Sequence, residues 1–343
     1  MLERDLFGEI VRPSKASILA TRFGVPPFSV LNAREGDWQE RKRRWLALGI
    51  QSEVGCGENL LKMSDTVLAA TARAKPLCFN TGDWLQKNGN IEGARAARRE
   101  AEGLPAEDEG SPLATGTSIF DPVLCELAYR WWCPAGGRIL DPFAGGSVRG
   151  IVASTLGFRY TGIDLRAEQV MANRDQAIQI CDEPFPDWHC GDSRYARDIA
   201  PGPYDFIFSC PPYGDLEQYS TDPRDLSAMA HEEFLESYRE IIVGAVAMLA
   251  PDRFACFVVG DFRDKAGNYR NFVGETIRAF IDAGMALYNE AILVTSVGSL
   301  PIRVTKQFEV SRKLGKTHQN VLVFVKGDPR KCAPLTSGGF DAE

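Results

Sequence analysis

Four short stretches of this chain carry residue types suited to chemistry, and each follows a run of apolar residues. Ile139-Leu140-Asp141-Pro142-Phe143-Ala144-Gly145-Gly146-Ser147 sets an acid at the end of such a run. Glycines come next, and their missing side chains let the backbone approach a ligand closely. Tyr160-Thr161-Gly162-Ile163-Asp164-Leu165 supplies a second acid. It lies about twenty residues beyond the glycines, where a carboxylate can accept hydrogen bonds from both hydroxyls of a ribose. Trp188-His189-Cys190-Gly191-Asp192-Ser193 offers a third acid, Asp192, suited to an adenine amino group. Phe206-Ile207-Phe208-Ser209-Cys210-Pro211-Pro212-Tyr213 ends in two prolines, which lock the backbone and stop a β-ladder. An exposed aromatic, Tyr213, is expected at the rim. Neither GxxxxGK[ST] nor GxGxxG is present, so the glycine loop need not hold a phosphate.

These residues can act together only if their strands end on one edge of a sheet. The apolar runs predict strands at Arg138–Asp141, Tyr160–Asp164, Tyr204–Ser209, Phe254–Gly260, Glu290–Val297 and Gln319–Val325. Helical spacing falls between most of them, at Gln169–Ile180, Glu232–Ala250 and Phe272–Ala283. A further helix is expected to run to Trp132, with Asp121 as its N-cap and Pro122 in its first turn. Strands alternating with helices predict a Rossmann-like α/β fold, a mostly parallel sheet with helices on both faces, and a ligand crevice beyond the carboxyl ends of the strands. We divide the chain into an N-terminal accessory region (1–91), a charged linker (92–116), the α/β domain (117–330) and a tail (331–343). The linker is drawn from 92–111, which carries nine charges in twenty positions and few large apolar groups.

The chain has 343 residues and a formal net charge of −7, which argues against coating nucleic acid through bulk charge. That charge is uneven. Residues 1–80 hold 12 Lys/Arg against 9 Asp/Glu, and residues 302–331 hold 8 against 2. Two basic clusters stand out: Arg41, Lys42, Arg43 and Arg44, set between Trp38, Trp45 and Leu46 on one helix, and Arg303, Lys306, Arg312 and Lys313. The first reads either as a solvated helix face or as a set of phosphate contacts, and the second as phosphate contacts. No apolar run approaches the ~18 residues of a membrane span, and the first residues lack the apolar core of a signal peptide, so a cytoplasmic protein without a membrane partner is expected. Nine cysteines with no CxxC pair argue against a disulfide framework and a zinc ribbon, and no metal is expected. The one adjacent His/Cys pair, His189-Cys190 with Cys181 nearby, reads as buried free cysteine.

The four stretches, in this order, resemble the class I, S-adenosylmethionine-dependent DNA amino-methyltransferases, the N6-adenine and N4-cytosine group. Asp141-Pro142-Phe143-Ala144-Gly145-Gly146-Ser147 looks like that family's DPFxGxG cofactor loop, and Cys210-Pro211-Pro212-Tyr213 stands where its (D/N/S)PP(Y/F) catalytic motif stands. Thr117–Trp132 resembles the segment packed on the methionine end of the cofactor. His318 through Lys326-Gly327 resembles the family's C-terminal H-x-x-x-x-x-F-x-K-G strand. The resemblance implies S-adenosylmethionine held by Asp121, by Asp141 through Ser147, and by Asp164, Leu165, Asp192 and Ser193. It further implies a base, rotated out of DNA, held at Ser209 through Tyr213. An exocyclic amine is a poor nucleophile because its lone pair is delocalised into the ring. The site must hold its N–H groups and favour a pyramidal nitrogen. In the family a side chain before the prolines and the carbonyl of the first proline do this, and the aromatic stacks on the base.

Cys210 departs from that pattern, since a thiol accepts hydrogen bonds weakly. Ser209 or Asp215 could supply the missing acceptor. Cys210 could instead attack carbon-6 of a pyrimidine for methylation at carbon-5, or catalysis is weakened and the fold serves as a DNA- or protein-binding module. An RNA or tRNA base methyltransferase is the rival enzyme. The polar stretch Gly214–Ser220 reads as a substrate lid, and Gly260–Asp264 as either an ordinary turn or a rim contact to DNA. Fewer than twenty residues separate Tyr213 from the helix near Glu232, too few for a recognition domain, so short or relaxed sequence specificity is expected. Oligomeric state stays open between monomer and homodimer.

Overall fold

The computed structural model describes residues 18–51, 120–216, 219–297 and 300–336, without the side chains of Asp215, Ile302 and Arg303. The expected linker 92–116, most of the accessory region and the end of the tail lie outside the described residues. Two compact units are present: Met1–Cys56 with Ile119–Thr295 and His318–Glu343, and Gly57–Ser118 with Ser296–Thr317.

The elements of the first unit run in chain order α1 (Ile18–Phe23), β1 (Val30–Asn32), α2 (Gly36–Leu46), α3 (Pro122–Trp132), β2 (Arg138–Asp141), α4 (Val148–Thr155), β3 (Arg159–Asp164), α5 (Ala167–Ile180), β4 (Asp187–Cys190) and α6 (Ala196–Ile199). They continue with β5 (Tyr204–Ser209), α7 (His231–Met248), β6 (Leu249–Val259), α8 (Phe272–Asp282) and β7 (Ala286–Val294). In the second unit the described helix is α9 (Leu300–Ser311). The first unit closes with β8 (His318–Lys326) and α10 (Pro329–Cys332).

The sheet has eight strands in the order β1-β7-β8-β6-β5-β2-β3-β4, and among them only β8 runs against the rest. This is a Rossmann-like, mostly parallel sheet. Strand order reverses between β2 and β5, which pair side by side, so the ligand crevice of such a sheet falls at their carboxyl ends. The central strands are buried on both faces. In β5 the segment Phe206–Ser209 is wholly buried, as is Phe254–Val259 of β6, and both read as continuous apolar runs rather than alternations. Phe206 and Phe208 stack at 6.1 Å, and Tyr129 of α3 meets Phe208 edge-on at 5.3 Å.

Several boundaries differ from those expected, for physical reasons. Helix α7 stops at Met248, not Ala250, because Pro251 disfavours helical backbone in the residue before it. Strand β6 consequently starts at Leu249 and carries Asp252 at φ 56°. Strand β7 starts at Ala286 and ends at Val294, short of Val297. Its first five residues are exposed, so no burial pattern marks them in the sequence.

The larger difference is at the N-terminus. Residues 18–51 belong to the same unit as the sheet instead of standing apart from it. Val30–Asn32 pair in parallel with Ile292–Val294. Helix α2 buries Trp38 and Trp45. Trp45 Nε1 donates to Glu126 Oε2 at 2.8 Å, and Trp38 Nε1 donates to Asp121 Oδ1 at 3.2 Å. Asp121 also caps α3 by accepting from Val123 and Leu124. Two cations of the basic cluster complete this arrangement. Arg41 Nε lies 2.9 Å from Glu126 Oε2, and Lys42 Nζ lies 3.2 Å from Asp121 Oδ2. Arg44 pairs with Glu40, and Arg43 is exposed. The cluster read as phosphate contacts is therefore largely engaged in holding α2 on α3, because Glu126 is 1% exposed and needs a cation. Arg41→Ala should lower stability by about 1–3 kcal/mol, since Glu126 then keeps the Trp45 hydrogen bond and a 3.8 Å pair with Arg130. Arg43→Ala should stay within about 0.5 kcal/mol. Urea midpoints of the two variants check this, and equal midpoints would contradict the assignment.

Candidate active site

Asp141 ends β2 at the point where strand order reverses, and it is fully buried. Its two oxygens take donors from four directions. Oδ1 accepts from the backbone N of Phe143 at 3.1 Å and from Ser209 Oγ, at the end of β5, at 2.5 Å. Oδ2 accepts from Tyr160 Oη of β3 at 2.7 Å and from Arg149 Nε of α4 at 2.5 Å. The Arg149 side chain is 6% exposed. Its Nη2 donates to the carbonyls of Phe143 and Ala144 at 2.6 and 2.7 Å, and its guanidinium lies 4.7 Å over the Phe120 ring. Burial alone would depress the Arg149 pKa, but Asp141 and Tyr160 outweigh it and hold the proton above the ordinary arginine range. Burial likewise pushes the Tyr160 hydroxyl up, with Asp141 adding to it, so this hydroxyl stays a donor.

This geometry corrects two expectations. Asp141 faces inward and has no surface to offer a cofactor; it fastens the glycine loop. Ser209, expected as an acceptor for the substrate, is wholly buried with its hydroxyl given to Asp141.

The loop is held from its other side by α5. Gly145 takes φ 50°, and its carbonyl accepts from Asn173 Nδ2 at 2.7 Å. Asn173 Oδ1 accepts from Gln169 Nε2 at 2.9 Å, and Gln169 Oε1 accepts from Arg166 at 2.8 Å. Gln176 Oε1 accepts from Ser147 Oγ at 3.2 Å and from the backbone N of Gln51 at 3.0 Å, while its amide donates to the Gln51 carbonyl. Sequence reading missed Arg149 and all three amides. Gln169, Asn173 and Gln176 are spaced four and three apart, which puts them on one helix face, and a polar stripe on a buried face was the available signal.

Asp164 ends β3 with a side chain 14% exposed. Each of its oxygens takes one backbone N–H: Oδ2 from Gly145 at 3.0 Å and Oδ1 from Arg166 at 2.8 Å. A second lone pair on each oxygen is left for a diol. Burial raises its pKa above the ordinary carboxylate range, against the pull of these N–H groups and of Arg166. Leu165 follows, and its carbonyl lies 3.5 Å from Cys190 Sγ. Asp192 is differently engaged from what was expected. Both of its oxygens bind Arg194, at 2.7–3.2 Å, and it caps the short turn that follows. Ser193 Oγ donates to the Pro142 carbonyl at 2.6 Å and so ties that turn to the loop.

Past β5, Cys210 is half-buried and its Sγ lies 3.8 Å from Tyr213 Oη. Pro211 is buried and Pro212 partly so. Tyr213 is no exposed rim aromatic. Its ring packs against Phe262 and edge-on to Phe272, at 6.5 and 6.2 Å, and its hydroxyl accepts from Gln319 Nε2 at 2.8 Å. Burial, then the Cys210 sulfur, raises its pKa well above the usual tyrosine value. Gln319 went unnoticed as a site residue because β8 alone brings its first residues to this edge. Gly214 adopts φ 55°, and a Cβ there would meet Phe262 Cζ at 2.9 Å. The second candidate acceptor, Asp215, has its side chain outside the described residues. Among the described residues no group of three or more His, Cys, Asp and Glu side chains is placed to hold a metal ion, and no helix is long and apolar enough to cross a membrane.

No family model matches this sequence, and no curated relative was found. Solved structures similar to the chain include TrmN from Thermus thermophilus, at 17% identity over 78% of this chain and 80% of that one, with a TM-score of 0.43. A TehB-like SAM-dependent methyltransferase from Corynebacterium glutamicum is similar at 17% identity over 68% and 96%, with a TM-score of 0.38. Magnesium protoporphyrin IX methyltransferase from Synechocystis PCC 6803, with bound SAM, is similar at 13% identity over 57% and 71%, with a TM-score of 0.36.

If Asp141 and Arg149 form one buried unit, Arg149→Met should cost about 3–5 kcal/mol. Adding Asp141→Asn to that variant should then cost much less than Asp141→Asn does alone. Urea unfolding of the four proteins gives the coupling, and strict additivity would dissolve the unit.

Proposed function

We propose that this protein transfers a methyl group from S-adenosylmethionine to an exocyclic amino group of a nucleic-acid base, in DNA before RNA. The observation that carries this reading is the convergence, at the point of strand reversal, of the glycine loop, the Asp164 carboxylate and the Ser209–Tyr213 segment. The donor set fits the cofactor: Asp164 would take the ribose hydroxyls with its remaining lone pairs, and the Pro142–Ser147 backbone would lie along the rest. Bound there, S-adenosylmethionine supplies an electrophilic methyl group on a sulfonium.

The chain's own groups would do the remaining work. The Pro211 carbonyl would accept an N–H of the target amine, drawing its lone pair toward nitrogen. Tyr213, steadied by Gln319, would stack on the base. With Ser209 engaged at Asp141, the second acceptor falls to the Cys210 sulfur or to Asp215. A neutral thiol is the weaker of the two, which favours slow turnover when Asp215 is removed. For the phosphate backbone, the 303–313 cluster supports the reading better than Arg41–Arg44, whose members mostly hold carboxylates. Lys306 and Arg312 are exposed and Lys313 is partly so. Arg303 lies on α9, its side chain outside the described ones.

Two measurements test this. Nucleoside mass spectrometry after incubation with S-adenosylmethionine and either DNA or RNA should find N6-methyladenine or N4-methylcytosine. Finding neither, across varied sequences of both, would sink the proposal, and 5-methylcytosine would transfer the chemistry to Cys210. Calorimetric titration should show cofactor binding that weakens at least about tenfold in Asp164→Ala, the equivalent of losing one strong hydrogen-bonded contact.

The raised Asp164 pKa also fixes the direction of a pH effect. Hydroxyl donors favour the ionised form, so binding releases a proton from the free protein. Affinity should therefore climb as pH rises through a value above the ordinary aspartate range, then level off. Fold stability moves the opposite way in that window, because a carboxyl with a raised folded pKa favours the protein while protonated. Affinity that is flat between about pH 4 and about pH 7 would contradict the assignment.

A further inference from the structure

Strand β6 ends at Val259 and α8 begins at Phe272, so the twelve residues Gly260–Asn271 form the connection. Strand-to-helix links in sheets of this kind usually take about 2–6 residues. The excess here is ordered as a small antiparallel hairpin. Arg263 bridges Tyr269, the Arg270 N–H donates to the Phe262 carbonyl at 2.9 Å, and the Asp264 and Gly267 N–H groups close the tip on Asn268 and Asp264. Its acids are used internally. Asp264 Oδ1 accepts the Asn268 N–H at 2.8 Å, and Asp261 Oδ1 accepts the Val273 N–H at 3.3 Å. Among the described residues the cations form no salt bridge with these acids, although the Asp264 pKa is lowered by the Asn268 N–H and, to a lesser degree, by nearby Arg270. Arg263 lies 3.9 Å over the Tyr269 ring and gives one nitrogen to the Gly267 carbonyl at 2.7 Å; its other nitrogens have no hydrogen-bond partner among the described residues. Lys265 is exposed. Arg270 Nε is buried without any hydrogen-bond partner among the described residues.

The hairpin is fixed to the catalytic segment through Phe262, which is 5% exposed and packs on Tyr213 and Phe272. Gly214 presses on the same ring so closely that a methyl group there would collide with it. Moving the hairpin therefore moves the Tyr213–Gly214 turn.

We propose that the Phe262–Arg270 hairpin grips the nucleic-acid backbone beside the base being modified, with Arg263, flattened on Tyr269, as the phosphodiester contact. A guanidinium stacked on a ring has its plane fixed and its edge N–H groups turned outward, the arrangement that suits a phosphate fork. The ring also shields one face from water and cuts the entropy lost on binding. This proposal rests on the reading above of a nucleic-acid base as substrate. It adds an element that neither basic cluster supplies, one built against the catalytic turn itself.

The test uses the full chain and fluorescein-labelled oligonucleotides, DNA and RNA of one sequence, titrated over a range of salt. Arg263→Ala should weaken binding about tenfold and lower the log–log salt slope by about one phosphate contact. Arg263→Lys should restore the slope but only part of the affinity, because lysine keeps the charge and loses the stacked fork. The rise should appear in KM for the oligonucleotide more than in kcat, with cofactor affinity by calorimetry unmoved in both variants. If the wild type binds and methylates oligonucleotides while Arg263→Ala binds them with the same affinity and slope, the hairpin proposal falls and the functional reading stands. If the wild type binds neither DNA nor RNA, both fall together. A preference for one of the two nucleic acids that Arg263→Ala leaves intact still supports the contact when the slope drops, since the phosphodiester is common to both.

Discussion

The crevice edge of the sheet depends on a buried ion pair. Asp141 and Arg149 sit where strand order reverses, a place at which two neighbouring strands must send their chains apart and leave a crevice. Such a gap tends to splay. Here one carboxylate ties the end of β2 to the end of β5 through Ser209 and to β3 through Tyr160, while its guanidinium partner binds the first carbonyls of the loop. Neither charge would be tolerated so deep alone. Each is acceptable because the two charges pair directly, Asp141 accepts four hydrogen bonds and Arg149 donates three. The glycine loop is thereby placed by a network spanning four elements and not by its own sequence.

The sheet was legible because its middle strands are buried on both faces and announce themselves as uninterrupted apolar runs. The β2 and β5 boundaries came out at the expected residues. What escaped notice had weak or contrary local signals. Strand β1 is three residues long and follows a Pro-Pro pair, and it is a strand only because β7 lies beside it. Arg149 escaped because an arginine inside an apolar helix reads as a surface residue unless its partner, eight positions earlier, is known to be buried. Which residues stand at the strand ends was readable, but their directions were not. A residue at a strand's end can turn toward the crevice or back into the protein, and Asp141, Ser209 and Tyr213 all turn further inward than their types suggest.

Charge teaches a related lesson. A run such as Arg41-Lys42-Arg43-Arg44 looks like a surface for an anionic partner, yet two of its members neutralise carboxylates of α3 that are far away in the sequence. Counting charges along a chain cannot separate cations facing solvent from cations compensating buried acids. The separation needs the partners, and these lie about eighty residues away.

The loop from Pro142 to Ser147 is clamped on both sides, by the Arg149 guanidinium on two of its carbonyls and by the Asn173 amide on a third. A ligand settling along it would meet a surface already held by these side chains. The conformational entropy of ordering those six residues has been spent during folding, so association gives up little more than the freedom of the ligand itself. Recognition along this edge is then closer to rigid docking than to induced closure. A ligand that must change shape to reach this edge bears that cost itself.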